Sequence, residues 1–371
     1  MVPGKAWMAQ ARFRRVDDLM NLAVARGVFC GAQLLVEIEG RTVHSGCYGR
    51  TSYWPWGLSV DHGTCFDLAS LTKPLATACV MMKLVENGVV SLDWPVGRWF
   101  PRAACRDVPL WRLLDHTAGL EDWWPFFHEL APAGAGVTIG KRKELVLNTA
   151  AEIGLKHMPG ERELYSDLGY IIACGIIERA AGATLDDIFE SYVAERIGSC
   201  DIFFPAGRRT NRVYAATELC PWRLRVICGE VHDENCWFMG GVSGHAGLFG
   251  TAEAVARLAN QLLQAWPEAG ACGESIFAPG IVERFLAPEK TGQRFRLGFD
   301  TPAESGSQAG NLLSRKSIGH LGFTGTSFWI DPERRLVVVL LTNRVHPGRD
   351  NEEIKRFRPE LHDLVVEEVD G

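Results

Sequence analysis

The segment "FDLASLTKPLATA", Phe66 to Ala78, decides how the chain is read. Ser70 and Lys73 stand three residues apart where an apolar run turns helical. At that spacing two side chains share one helix face about a turn apart. A lysine so placed hydrogen-bonds the serine hydroxyl, and partial desolvation lowers its pKa and makes it a base. The helix N-terminus adds free N–H groups and partial positive charge, which favour a developing oxyanion. The competing reading is an ordinary helix cap beside a solvated lysine. Pro74 is tolerable in a first turn, whose N–H groups lack intrahelical partners, but it biases Lys73 away from α geometry.

Two further segments carry polar residues suited to the same chemistry. In "ELYSDLGY", Glu163 to Tyr170, Ser166 or Asp167 opens a helix just after Tyr165. A buried tyrosine whose oxygen faces two cations is held at or near phenolate and serves as a general base. In "GHLGFTGTSFW", Gly319 to Trp329, glycines approach a strand and let a substrate lie along the backbone. There His320 is placed to donate to a substrate carbonyl or carboxylate. Packing roles for Tyr165 and His320 are the plainer alternatives.

Around these segments the expected elements are few. Residues from about Ala11 to Arg26 have helical spacing, and Glu39-Gly40 joins two strands as a hairpin. Helical signal, broken by Pro and Gly, dominates from the Ser70 helix to about residue 220. A helix capped by Thr251 follows, then two strands around Asp331-Pro332, then a closing helix from Asn351 to Val369. Leu336 to Leu341 is apolar throughout and should be buried on both faces. "APAGAG", Ala131 to Gly136, is expected to be a flexible loop. Together these give a discontinuous α/β lobe, about 11–72 and 235–369, with an inserted helical lobe, about 73–234.

The chain has 371 residues, of which 47% are hydrophobic and 23% charged, with a formal charge of −6. That balance is ordinary for a globular protein and argues against nucleic acid as a partner. No apolar run reaches the roughly 18–20 residues of a membrane helix. Eleven scattered cysteines form no CxxC pair, which points to reduced core thiols. A cytoplasmic location is the resulting expectation. "HDE", His232 to Glu234, with His245 beyond it, offers ligand-like residues, but neither HExxH nor a shared helix face. No metal or organic cofactor is expected. Ser243 in "GVSGH" falls one glycine short of a nucleophile elbow.

In order, "FDLASLTK", "LLDHTAGL", "YSDLGY", "GGVSGHAGLFGTAEAVARL" and "GHLGFTGTSFWIDPERRLVVVLLTN" resemble the serine β-lactamase-like superfamily. The likeness is to the branch of class C β-lactamases, D,D-peptidases, D-aminopeptidases and esterases. It spans about residues 15 to 365. It implies an α+β fold, an antiparallel sheet flanked by helices with an inserted, mostly helical lobe. By position, Ser70 matches the nucleophile, Lys73 its partner and Tyr165 the tyrosine of a Tyr-x-Asn element. His320-Leu321-Gly322 matches the Lys-Thr-Gly strand element, and the N–H groups of Ser70 and Phe323 match the oxyanion hole. His116 is set aside as structural.

Two positions depart from the lactamase pattern. Asp167 replaces an asparagine that contacts substrate and the catalytic lysine, so a carboxylate either holds Lys73 charged or selects another substrate. His320 replaces a lysine that binds the substrate carboxylate, and a neutral histidine lacks that charge. The resemblance therefore implies a serine hydrolase acting through an acyl-enzyme on small esters or amides, with ester ahead of amide. A D,D-carboxypeptidase or weak β-lactamase is the enzymatic competitor, and a non-catalytic ligand-binding relative is the competitor of another class. Trp54, Trp56, Trp123 and Trp124 are candidates for an apolar acyl pocket or for packing.

Overall fold

Alternation along one strand organises the core. In β5 (Leu336–Thr342), Leu336, Val338 and Leu340 join one apolar cluster, while Val337, Val339 and Leu341 join another. Successive strand side chains point to opposite faces, so a strand apolar throughout needs cover on both. On one face lie α1 (Arg14–Ala25) and the closing helix α6 (Ile354–Asp370); on the other lies α5 (Ala252–Ala265). The computed structural model describes residues 12–134, 136–206, 211–270, 273–287 and 293–371.

The sheet has five antiparallel strands in the order β2-β1-β5-β4-β3. β1 (Gly31–Ile38) and β2 (Arg41–Gly49) form the expected hairpin, with Glu39 and Gly40 both at positive φ. β3 (Ile318–Leu321) is an edge strand, paired with β4 (Ser327–Asp331). The fold is thus α+β, with an antiparallel sheet flanked by helices.

Three helices matter for the site. α2 (Cys79–Glu86) continues the Ser70 segment, α4 (Asp167–Ala181) follows Tyr165 and packs on α2, and α3 (Ile139–Glu152) packs on α4. Between Ser70 and α2 the chain widens into a π-helical turn, Lys73–Ala78. Pro74 supplies no N–H to a regular turn, which is the local reason for that irregularity. Thr251 caps α5 as expected, its side chain accepting from the Ala254 N–H. The expected loop at Ala131 is instead a short helical turn, Ala131–Gly134, favoured by its alanines. Ala11, the expected start of the first helix, lies outside the described residues; α1 begins after Phe13.

Candidate active site

The turn that presents Ser70 is held from several sides. Buried Asp67 accepts from the Ala69 N–H at 2.8 Å and the His232 N–H at 2.7 Å. Thr72 Oγ1 donates to the Ala69 carbonyl at 2.6 Å and accepts from the Leu248 N–H at 3.1 Å. Ala69 has φ of 47°, a left-handed conformation that costs a non-glycine residue about 1–3 kcal/mol and needs such support. Ser70 is partly exposed and lines a cavity of about 260 Å³ with Tyr165, Asp167, Trp123 and Phe323. Trp54, Trp56 and Trp124 do not line it.

Lys73 is completely buried, and its ammonium meets three acceptors. Ser70 Oγ is at 3.0 Å, the His245 carbonyl at 3.2 Å and Asp167 Oδ1 at 2.6 Å. The first two are hydrogen bonds, and the third is a close ion pair. Burial, the largest influence, pulls the lysine pKa down, but the Asp167 carboxylate pushes it back, and the pKa lies above its ordinary value. The carboxylate at position 167 therefore keeps Lys73 charged.

The phenolate expectation for Tyr165 is corrected by the same geometry. Burial raises its pKa; Lys73 lowers it, and Asp167 raises it again. Among the described residues Lys73 is the one cation acting on the phenol oxygen, which also bonds Ser70. Tyr165 rests as a phenol.

His116, set aside from the sequence, supports this tyrosine. Its ring packs on Tyr165 at 4.6 Å between centroids and on Phe295 at 4.8 Å. Its Nδ1 accepts from the Ser166 N–H at 3.0 Å, which requires a neutral ring. Burial, then the charge of Lys73, hold its pKa well below the ordinary value. Ser166 caps α4 by accepting from the Gly169 N–H, so Tyr165 and Asp167 flank a fixed helix start.

Strand β3 closes the other side. His320 is 3% exposed, and its Nδ1 donates to the Leu321 carbonyl at 2.9 Å. Burial, then Lys73, push its pKa down to about 3. With Nδ1 protonated and the ring neutral, Nε2 is left as an acceptor. The expectation that His320 donates to a substrate carbonyl or carboxylate is therefore corrected. Past the strand, Thr324 Oγ1 donates to the Asp67 carbonyl at 2.7 Å and Thr326 Oγ1 to the Leu68 carbonyl at 3.2 Å. These bonds fasten the strand loop to the Ser70 turn. A Cβ on Gly322 would lie 2.0 Å from Thr326 Oγ1 and 2.8 Å from the Leu68 carbonyl, so only glycine fits that approach. Among the described residues the Phe323 N–H has no hydrogen-bond partner.

The segment 229–247 is a hydrogen-bonded frame. His232 meets Glu218 at 3.1 Å, and Arg349 binds Glu218 and Glu234. Glu218, Cys220 and Glu234 form a metal-like cluster, but the Arg349 guanidinium already engages both carboxylates. Ser243, His245 and Asp233 form a hydrogen-bonded chain, at 2.8 Å and 2.9 Å, that resembles a catalytic triad. Ser243 is 0% exposed and cannot meet a substrate, whereas the His245 carbonyl holds Lys73.

The family model described as Beta-lactamase matches residues 16–362. The chain belongs to the Beta-lactamase family. Within it, this chain is 29% identical to an N-acetylmuramyl-L-alanine amidase of Bacillus subtilis (strain 168), over 94% of this chain and 85% of that protein. It is 28% identical, over 93% of this chain and 85% of the other, to an Escherichia coli (strain K12) protein provisionally named D-alanyl-D-alanine carboxypeptidase. Among solved structures, EstCE1, a hydrolase with promiscuous acyltransferase activity, superposes with a TM-score of 0.75 at 22% identity, covering 96% of this chain and 99% of EstCE1. The octameric penicillin-binding protein homologue from Pyrococcus abyssi superposes with a TM-score of 0.72 at 20% identity, covering 95% and 77%. This member of the Beta-lactamase family thus has a hydrolase fold shared by esterase-like and penicillin-binding-protein-like chains. No single helix among its described residues is long and apolar enough to cross a membrane.

Proposed function

We propose that this chain is a serine hydrolase that cleaves small esters or amides through an acyl-enzyme on Ser70. The observation that carries the reading is the Lys73 ammonium, set between Ser70 Oγ at 3.0 Å and Asp167 Oδ1 at 2.6 Å. A lysine already charged cannot accept the serine proton unless it gives one away. Asp167 is the recipient at hand. As Ser70 Oγ attacks the carbonyl carbon, its proton passes to Lys73 while a Lys73 proton passes to Asp167. The carbonyl π electrons move to oxygen, and that O⁻ sits on the N–H groups of Ser70 and Phe323. Collapse expels the leaving group, which takes a proton from Tyr165 or Lys73, and the Asp167 proton restores the donor. Water then repeats the route in reverse and frees Ser70.

A neutral His320 gives no charge to a substrate carboxylate, which weighs against β-lactams and D-Ala-D-Ala peptides. The names of the two curated relatives favour an amide as a second reading, with a muramyl-alanine or peptide bond as the one cleaved. The phenol of Tyr165 and the charged Lys73 suit it, because an amine leaves only when protonated. A non-catalytic role fits poorly with a complete Ser70, Lys73 and Tyr165 set.

The test is a panel of p-nitrophenyl butyrate, an N-acetylmuramyl-L-alanine amide, D-Ala-D-Ala and nitrocefin, run on wild type and Ser70→Ala. Turnover and phosphonate labelling should vanish in Ser70→Ala. Labelling that persists at another serine, such as Ser243, overturns the assignment.

A further inference from the structure

Arg358 is buried in α6, 5% exposed, where a cation is ordinarily paired with a carboxylate. Among the described residues no carboxylate pairs with it, and its Nε has no partner. Its Nη2 instead donates to two carbonyls, Gly322 at 3.0 Å and Thr326 at 2.7 Å. Burial, then the neighbouring Arg344, lower its pKa to about 9, so it remains a cation at neutral pH.

The Gly322 carbonyl shares a peptide unit with the Phe323 N–H. A trans peptide is planar, and its C=O and N–H point in opposite directions. Arg358 from the α6 side and the Gly325 N–H at 3.0 Å within the loop together hold that carbonyl, which fixes the N–H toward the other side. That side is the Ser70 turn, since Gly322 abuts the Leu68 carbonyl and Phe323 lines the cavity with Ser70. The next peptide is held likewise, because Arg344 Nε donates to the Phe323 carbonyl at 2.8 Å. A cation on the carbonyl also withdraws electron density from the peptide, which makes its N–H a stronger donor.

We propose that Arg358 is the positioning residue of the oxyanion hole, aiming and polarising the Phe323 N–H through the Gly322–Phe323 peptide. The inference rests on the acyl-enzyme reading of Ser70. It differs from a packing role in what it predicts. A hole that fails only as negative charge develops lowers kcat and spares substrate binding.

The experiment uses the full chain with Arg358→Met and Arg358→Lys. Melting temperature, kcat and KM on p-nitrophenyl butyrate, and affinity for a boronic acid that forms a tetrahedral adduct on Ser70 are measured. Arg358→Met should lower kcat about 100-fold, the effect of losing one oxyanion donor, with KM within about threefold. Boronate affinity should fall by the same factor as kcat/KM, and Arg358→Lys, which keeps the charge but not the guanidinium geometry, should recover about tenfold of the kcat loss and stay about tenfold below wild type. A folded Arg358→Met with kcat within about threefold of wild type overturns the proposal, as does a loss confined to KM. Should Arg358→Met not fold, Arg358→Lys decides alone: it should retain KM while losing kcat and boronate affinity in parallel, and unchanged values overturn the inference. Phosphonate labelling of wild-type Ser70 separates the two hypotheses. If labelling fails, the site reading falls; if it succeeds and the variants behave as wild type, only the role of Arg358 falls.

Discussion

Gly322→Ala tests whether the strand loop and the Ser70 turn form one rigid unit. The added methyl would sit 2.0 Å from Thr326 Oγ1 and 2.8 Å from the Leu68 carbonyl, against about 3.4 Å for ordinary contact. Relief therefore needs a shift of more than about 1 Å in one direction or the other. Thr326 cannot swing freely: it is completely buried, and its hydroxyl bonds Leu68. The Thr326 clash distorts the loop bearing Phe323 from within, and the Leu68 contact presses that loop away from the turn bearing Ser70. Overpacking of this kind costs about 1–3 kcal/mol, and a 1 Å misplacement of reacting groups costs about 100-fold in rate. Expected results are a melting temperature lower by a few degrees and a kcat on p-nitrophenyl butyrate reduced about 100-fold. Gly280→Ala is the control, because a Cβ there meets nothing within 4 Å. Wild-type kcat and melting in Gly322→Ala would refute the reasoning.

Asp167→Asn should move the acid limb of the kcat/KM profile to higher pH. In the proposed mechanism the Lys73–Asp167 ion pair is the reactive form; with asparagine, only unprotonated lysine could take the serine proton. Reduced activity with an unmoved limb would make Asp167 merely structural. Stability should fall as pH drops from about 6.5 toward 4, because buried His116, His320 and His362 resist protonation in the folded chain while their unfolded counterparts accept it. The last two hold pKa values of about 3 and about 4. Each contributes up to about 1.4 kcal/mol per pH unit below the ordinary histidine pKa, and a flat urea midpoint over that range would contradict it.

Local chemistry made much of this chain legible. β-rich runs flanking the Glu39-Gly40 and Asp331-Pro332 turns marked strands β1, β2, β4 and β5, and cap residues such as Thr251 and Ser166 marked helix starts, because both depend on near neighbours. The order of motifs brought Ser70, Lys73 and Tyr165 to one place. What stayed hidden depends on residues far apart in the chain. The third acceptor of Lys73 is the carbonyl of His245, and Arg358 reaches Gly322 from another helix. His320 read as a donor because a sequence carries no tautomer; the Leu321 carbonyl sets it. Left-handed His116 stood out only as an unneeded histidine until its ring was seen packed on Tyr165.

The two departures from the lactamase pattern act in one direction. A strand lysine replaced by neutral His320 removes one positive charge, and an asparagine replaced by Asp167 adds one negative charge. A substrate carboxylate thus meets a site two charge units less positive. At about 6 Å and an effective dielectric of about 20, each unit is worth about 3 kcal/mol. Nearby arginines offer no free bidentate face, although Arg358 keeps an uncompensated charge. Arg294 is paired with Asp300, Arg349 with Glu218 and Glu234, and Arg344 and Arg358 with loop carbonyls. A carboxylate entering the cleft would have to displace one of these partners. A neutral acyl group meets no such competition, and the charged lysine beside it is already balanced by Asp167. On the proposed reading of the site, the same substitution that keeps Lys73 protonated would favour substrates that bring no negative charge of their own.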